Sequence, residues 1–176
     1  MQKMPSYLTL FLLLSFSATE CISQGKFPHL NAHAHNDYEH AHPLKDALQN
    51  GFISVEADVH LRKGNLVVAH NRATDQSPLL EILYLAPLDS ILSGNRGQIY
   101  TNLEKNAEPF YLMIDVKTEA EATYFALKKL LLKYPVLQNR NGPVKIFLSG
   151  NRTVSRQQEE NSDIGIDGRE ETEEMR

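Results

Sequence analysis

A single cysteine, Cys21, stands among the 176 residues, so no disulfide framework can form within the chain. Cleavage of a leader after Ser23 would remove it and exclude a thiol nucleophile as well. No apolar run is long enough to cross a bilayer as a helix. No basic stripe follows the chain. The stretch 155–176 holds eight acidic and three basic residues, or −5 of the net −4, which leaves the rest at only +1. Nucleic-acid binding is therefore not expected. Internal repeats and low-complexity tracts are also missing.

What is present begins with a secretory pattern. Lys3 is followed by the short apolar run Tyr7 to Ala18 and then by small residues. We expect a signal over 1–23 and a mature chain from Gln24. Cleavage after Ala18 or an uncleaved anchor are the alternatives. Cys21 sits where a lipidated cysteine would sit, but Glu20 before it breaks the small-residue pattern of a lipoprotein signal. The expected location is secreted or periplasmic, with no stable membrane span.

Beyond the leader, apolar strand patterns alternate with helical ones. Strands are expected at His29–His35, Phe52–Leu61, Leu66–Ala69, Phe110–Lys117 and Val144–Ser149. Helices are expected at Pro43–Asn50, at Leu79–Leu92 with an interruption at Pro87, and at Glu119–Tyr134 with Ala122, Phe125, Ala126, Leu130 and Tyr134 on one face. Strand–helix alternation with strands apolar on both faces is the pattern of a parallel α/β sheet. A closed (β/α)8 barrel needs about 250 residues. Either the fold over 24–154 is a smaller one or it is an incomplete TIM-barrel-like α/β domain, and the incomplete barrel is the expectation carried forward. An acidic tail over 155–176, with little packed structure, follows it.

Three clusters capable of chemistry fall at the C-terminal ends of expected strands, where α/β folds place their ligands. The first is His33-Ala34-His35-Asn36-Asp37-Tyr38, with His40 and His42 behind it. Five of the seven histidines lie within fourteen residues. Histidine exchanges protons near neutral pH and ligates metals. The second is Glu56-Ala57-Asp58. Residues two apart on a strand share a face, so these carboxylates project together. Two like charges on an apolar strand are costly unless a cation lies between them, and Ca²⁺ or Mg²⁺ suits oxygen ligands. A wet edge strand is the plainer alternative. The third is Asp115-Val116-Lys117, a further carboxylate with a lysine able to hold a phosphate oxygen, or else a simple strand-end ion pair.

His70 ends the return strand. A three-residue turn, Lys63-Gly64-Asn65, would set it opposite Asp58. A two-residue turn would pair it with Ala57 and turn the ring away. The three-residue turn is the expectation.

Taken in order, His35 with its proline-led helix, Gly51-Phe52 leading into Glu56-x-Asp58-Val59, and Gly64 with Leu66-Val67-Val68-Ala69-His70 resemble the glycerophosphodiester phosphodiesterase superfamily. Those enzymes share a barrel with the phosphatidylinositol-specific phospholipases C. Ala34-His35-Asn36-Asp37-Tyr38 and Phe147-Leu148-Ser149-Gly150-Asn151-Arg152 look closest to the family of altered inheritance of mitochondria protein 6. The resemblance implies His35 and His70 as an acid–base pair. It implies Glu56, Asp58 and Asp115 as ligands of a divalent metal, Ca²⁺ or Mg²⁺. Lys117 and Asn36 would bind a small glycerophosphodiester or phospholipid-derived substrate. Asn36 replaces an arginine usual in that superfamily, and Asp115 a glutamate. Ile166-Asp167-Gly168-Arg169 resembles a segment that lies later in the family's barrel. Two rivals remain. His33-x-His35 resembles the metal pair of zinc amidohydrolases and related phosphoesterases. A truncated, non-catalytic secreted domain is the other.

Overall fold

The computed structural model describes residues 28–101, 108–153 and 163–167. The expected signal over 1–23, Cys21 included, lies outside these residues, as does the expected acidic tail over 155–176 apart from 163–167. Six strands and three α-helices follow in order: β1 (His29–Ala34), α1 (Lys45–Gln49), β2 (Phe52–Arg62), β3 (Asn65–Val68), α2 (Ala86–Gly94), β4 (Phe110–Val116), α3 (Ala120–Leu131), β5 (Val144–Gly150) and β6 (Gly165–Ile166).

The strands form one sheet in the order β1-β2-β4-β5-β6, with every neighbour parallel. Strand β3 pairs antiparallel with the last four residues of β2. On that same edge β1 pairs with the first residues of β2, so the two short strands divide one edge of the longest strand. The mixed α/β architecture expected from the sequence is present. The sheet is open: among the described residues no pairing joins β6 back to β1. Strand β6 lies where little packing was expected. It docks on β5 through Phe147↔Gly165 and Leu148↔Ile166, and Ile164 before it is buried.

Alternation gives the sheet two faces. On one, Val59, Ile114, Val116 and Leu148 meet Thr123, Tyr124 and Leu127 of α3. That face joins Leu80, Tyr84, Leu85 and Leu88 in a single apolar cluster, which supplies the main driving force for folding. The face of α3 thus differs from the expected one. Thr123, Tyr124, Leu127 and Leu131 are buried, and Phe125 is exposed. Both stripes obey helical spacing, and the sheet chose between them. The other face of the sheet carries Glu56, Asp58, Tyr111, Met113, Asp115, Lys145 and Phe147, with Tyr111 and Phe147 in an edge-to-face contact at 6.4 Å.

Two local expectations are corrected. Pro87 does not interrupt its helix. The preceding turn, Glu81–Leu85, is wound as a π-helix, and Pro87 falls in the first turn of α2, just after the wider π-turn. The β2–β3 hairpin has a two-residue turn rather than three. Arg62 pairs with Asn65, and Lys63 (φ 49°) and Gly64 (φ 81°) both take positive φ, as a twist-compatible tight turn requires.

Candidate active site

Glu56 and Asp58 project from β2 by the two-residue period of a strand, and parallel register sets Asp115 of β4 directly beside Asp58. Each of the three offers a carboxylate oxygen within 4.8 Å of the others. Glu56 is 5% and Asp58 1% exposed, so two charges are buried side by side. Such a pair is costly, and positive charge among the carboxylates offsets that cost.

Glycine makes room for the third carboxylate. Gly150 ends β5 in register with Val116, at φ 66°. A β-carbon there would lie 2.0 Å from Asp115 Oδ1 and 2.7 Å from the Val116 carbonyl.

Part of the compensation comes from Lys117, whose Nζ donates to Asp115 Oδ2 at 2.5 Å and lies 3.2 Å from Asp58 Oδ2. Burial works to lower its pKa, but the hydrogen bonds to Asp115 and Asp58 outweigh it and the net shift is upward. Asp58 Oδ1 and Asp115 Oδ1 remain buried without a hydrogen-bond partner. Two orphaned carboxylate oxygens in an all-oxygen set fit a hard divalent cation.

The imidazoles approach from two sides. His35 Nε2 lies 3.3 Å and His33 Nε2 3.9 Å from Glu56 Oε2, which also accepts from the Asn36 backbone N–H at 3.3 Å. His33 Nδ1 is 2.8 Å from Ser54 Oγ. Burial lowers the His33 pKa; Glu56 opposes that shift and His35 adds to it. On the other side His70 Nδ1 lies 3.0 Å from Asp58 Oδ2. A carboxylate only accepts, so Nδ1 carries a proton, and in the neutral ring the lone pair is then on Nε2.

The turn expected to bring His70 here is not the one used. In the observed register His70 would fall opposite Ala57. The chain instead leaves the ladder after Val68, with the Ala69 N–H donating to the Asp58 carbonyl, and His70 swings back to the carboxylate.

The remaining histidines of the first cluster turn elsewhere. His40 faces Asp37 at 3.6 Å and His42 faces Asp46 at 3.3 Å. Among the described residues, the three carboxylates are the only set of three or more metal-binding side chains gathered this closely. Among the described residues, His33 and His35 belong to no such set.

Asn36 has positive φ, and its side-chain oxygen accepts from Tyr38, so its visible role is to shape the loop. Tyr38 is a site residue that spacing did not single out. Its hydroxyl donates to Asn36 Oδ1 at 3.1 Å, and its oxygen lies 3.2 Å from His70 Nδ1. Burial, and then the Asp58 carboxylate, hold its pKa far above the phenolic range. Asp37 was missed as well. It is fully buried, and its Oδ2 accepts from the Leu44 N–H at 2.6 Å and the Tyr84 hydroxyl at 2.9 Å, pinning the loop that bears His35 to the helical layer. Both residues lie inside the histidine cluster, where a tyrosine and an acid offer no periodic signal.

Comparison with known proteins places the same stretch in one family. The AIM6-like phosphodiesterase domain matches residues 22–157. Altered inheritance of mitochondria protein 6 of Kluyveromyces lactis is 33% identical over 161 residues, covering 70% of this chain and 38% of that protein. Its counterpart in Eremothecium gossypii is 36% identical over 146 residues, covering 68% and 36%. The homolog in Arthroderma benhamiae is 32% identical over 128 residues, covering 62% and 40%. The chain thus spans about 36–40% of the length of these relatives. No solved structure matches.

Proposed function

For a chain that belongs to the AIM6-like phosphodiesterase domain family, we propose the activity of a metal-dependent phosphoric diester hydrolase. The observation that carries this reading is the convergence of Glu56, Asp58 and Asp115, with two buried carboxylate oxygens left unpaired. These three would hold a divalent cation, Ca²⁺ or Mg²⁺. Such an ion, when bound, supplies charge neutralisation at phosphoryl oxygens.

The chain's own groups supply the rest. His70 Nε2 holds a free lone pair and acts as general base toward water or a neighbouring substrate hydroxyl. His35, beside Glu56 and open to solvent, protonates the leaving alkoxide as the P–O bond breaks. Water as attacker gives a phosphomonoester and an alcohol; an internal hydroxyl gives a cyclic phosphate. Lys117 and Asn36 border the phosphate position, Lys117 as a point charge. The substrate class we propose is a small glycerophosphodiester or phospholipid-derived diester. The strand order β1-β2-β4-β5-β6 follows the chain, as the wall of a TIM-type barrel does, and the Asp58–Asp115 pair lies next to the last parallel pair of β2 and β4, Val59↔Val116. The leader pattern over 1–23 supports a secreted or periplasmic location. No helix among the described residues is long and apolar enough to cross a membrane.

The test is hydrolysis of bis(p-nitrophenyl) phosphate by the purified chain, with EDTA and with Ca²⁺ or Mg²⁺. Turnover abolished by chelation, restored by one ion, and lost in Asp58→Asn and His70→Ala supports the reading. Turnover indifferent to chelation overturns it.

A further inference from the structure

The segments that build the acidic site continue into a second cavity. His60 lies two residues beyond Asp58, Asn71 and Arg72 directly follow His70, and Thr118 follows Lys117. Together with Leu61, Arg62 and Ala73 they line an open cavity of about 550 Å³. Its charge is opposite to that of the triad. Arg62 and Lys63 share one carboxylate, Asp75, at 2.7 and 2.8 Å, which leaves that group one positive charge in excess. Arg72 adds another. It is exposed, and among the described residues it meets no carboxylate.

The other polar groups leave room for a ligand's oxygens. His60 Nε2 is held by the Ala69 carbonyl at 3.0 Å, and Thr118 Oγ1 accepts from the Leu61 N–H at 2.8 Å. The Arg72 guanidinium and the Asn71 amide are left as donors at the rim. A planar guanidinium fork matches the geometry of a carboxylate or phosphate.

We propose that this cavity binds an anionic group carried by the substrate beyond its scissile phosphodiester, with Arg72 as the main contact. The inference rests on the phosphodiesterase reading and narrows it to substrates with a second negative charge. A lone surface arginine would not carry this. Three site-bearing segments run into this one cavity, and it carries surplus positive charge.

The experiment has two arms. In the first, inorganic phosphate is titrated into the full chain in EDTA, in wild type and in Arg72→Gln, while the backbone amide resonances of Asn71, Ala73 and Thr118 are followed. Saturable shifts are expected, with phosphate affinity about tenfold weaker in Arg72→Gln, the effect of losing one charge-assisted pair. Equal affinity in wild type and Arg72→Gln overturns the proposal.

In the second arm, two p-nitrophenyl phosphodiesters of equal length are compared, one arm ending in a carboxylate and the other in a hydroxyl. A lower KM for the carboxylate is expected, with the KM ratio falling toward one in Arg72→Gln. Phosphate binding with equal KM for both diesters overturns the proposal in favour of a free anion. Turnover of neither diester removes the phosphodiesterase reading and the substrate assignment with it. The phosphate arm still reports whether the cavity holds an anion.

Discussion

The space taken by the Asp115 carboxylate is the space a side chain at Gly150 would need. A β-carbon there would sit 2.0 Å from Asp115 Oδ1. Gly150 is also at φ 66°, a left-handed conformation that costs an ordinary residue roughly 1–2 kcal/mol. Gly150→Ala should therefore displace Asp115 and lower stability by about 2 kcal/mol. Divalent-ion binding followed by calorimetry should weaken at least as clearly as the urea midpoint falls. Retention of full ion affinity would show that Asp115 is not held by this contact.

Lys117 Nζ lies between two of the carboxylates, 3.2 Å from Asp58 Oδ2 and 2.5 Å from Asp115 Oδ2. Lys117→Met leaves buried carboxylates without their ammonium. In EDTA the variant should be destabilised by about 1–3 kcal/mol, less than for a fully buried pair because the lysine is partly exposed. Ca²⁺ or Mg²⁺ should then raise its Tm by more than it raises that of wild type. Equal increments would mean that lysine and ion occupy independent places.

Tyr84 is buried and donates to Asp37 Oδ2 at 2.9 Å. Tyr84→Phe removes one of the two donors to a fully buried carboxylate, at an expected cost of about 1.5–3 kcal/mol. Since Asp37 pins the loop that carries His35, proteolysis within residues 36–44 should accelerate more than the fall in global stability alone explains. Cleavage in proportion to global stability would confine Asp37 to a structural role.

Glu81 accepts from the Tyr134 hydroxyl at 2.8 Å and from Lys133 Nζ at 3.0 Å. These bonds, Tyr134 first, hold its pKa below the usual glutamate range. A carboxylate depressed on folding contributes stability above its unfolded pKa of about 4.3 and loses it as pH falls through the folded value. The stability difference between wild type and Glu81→Gln should be present at neutral pH and shrink at progressively acid pH below that range. Urea unfolding at several pH values measures it, and a difference constant with pH would contradict the assignment.

Much of the site could be read from one-dimensional spacing. Glu56 and Asp58 share a face because strand side chains alternate. The end of each apolar run set the height of the carboxylates, and Gly64 marked the hairpin. Positions that depend on partners were not legible. His70 was expected beside Asp58 through a three-residue turn, yet it arrives by leaving a two-residue-turn ladder after Val68. The face of α3 was displaced by about one residue, because Ala122 and Phe125 satisfy helical periodicity as well as Thr123 and Tyr124 do.

The sequence by itself determined which residues are chemically able and which of them share a strand face, since those follow from residue type and local period. Tertiary structure alone decided that Asp115 stands beside Asp58, that Gly150 vacates its space, and that Tyr38 joins His70. The reason is physical. Register between strands is set by packing across the whole sheet, and no short-range pattern encodes a contact whose partners are tens of residues apart.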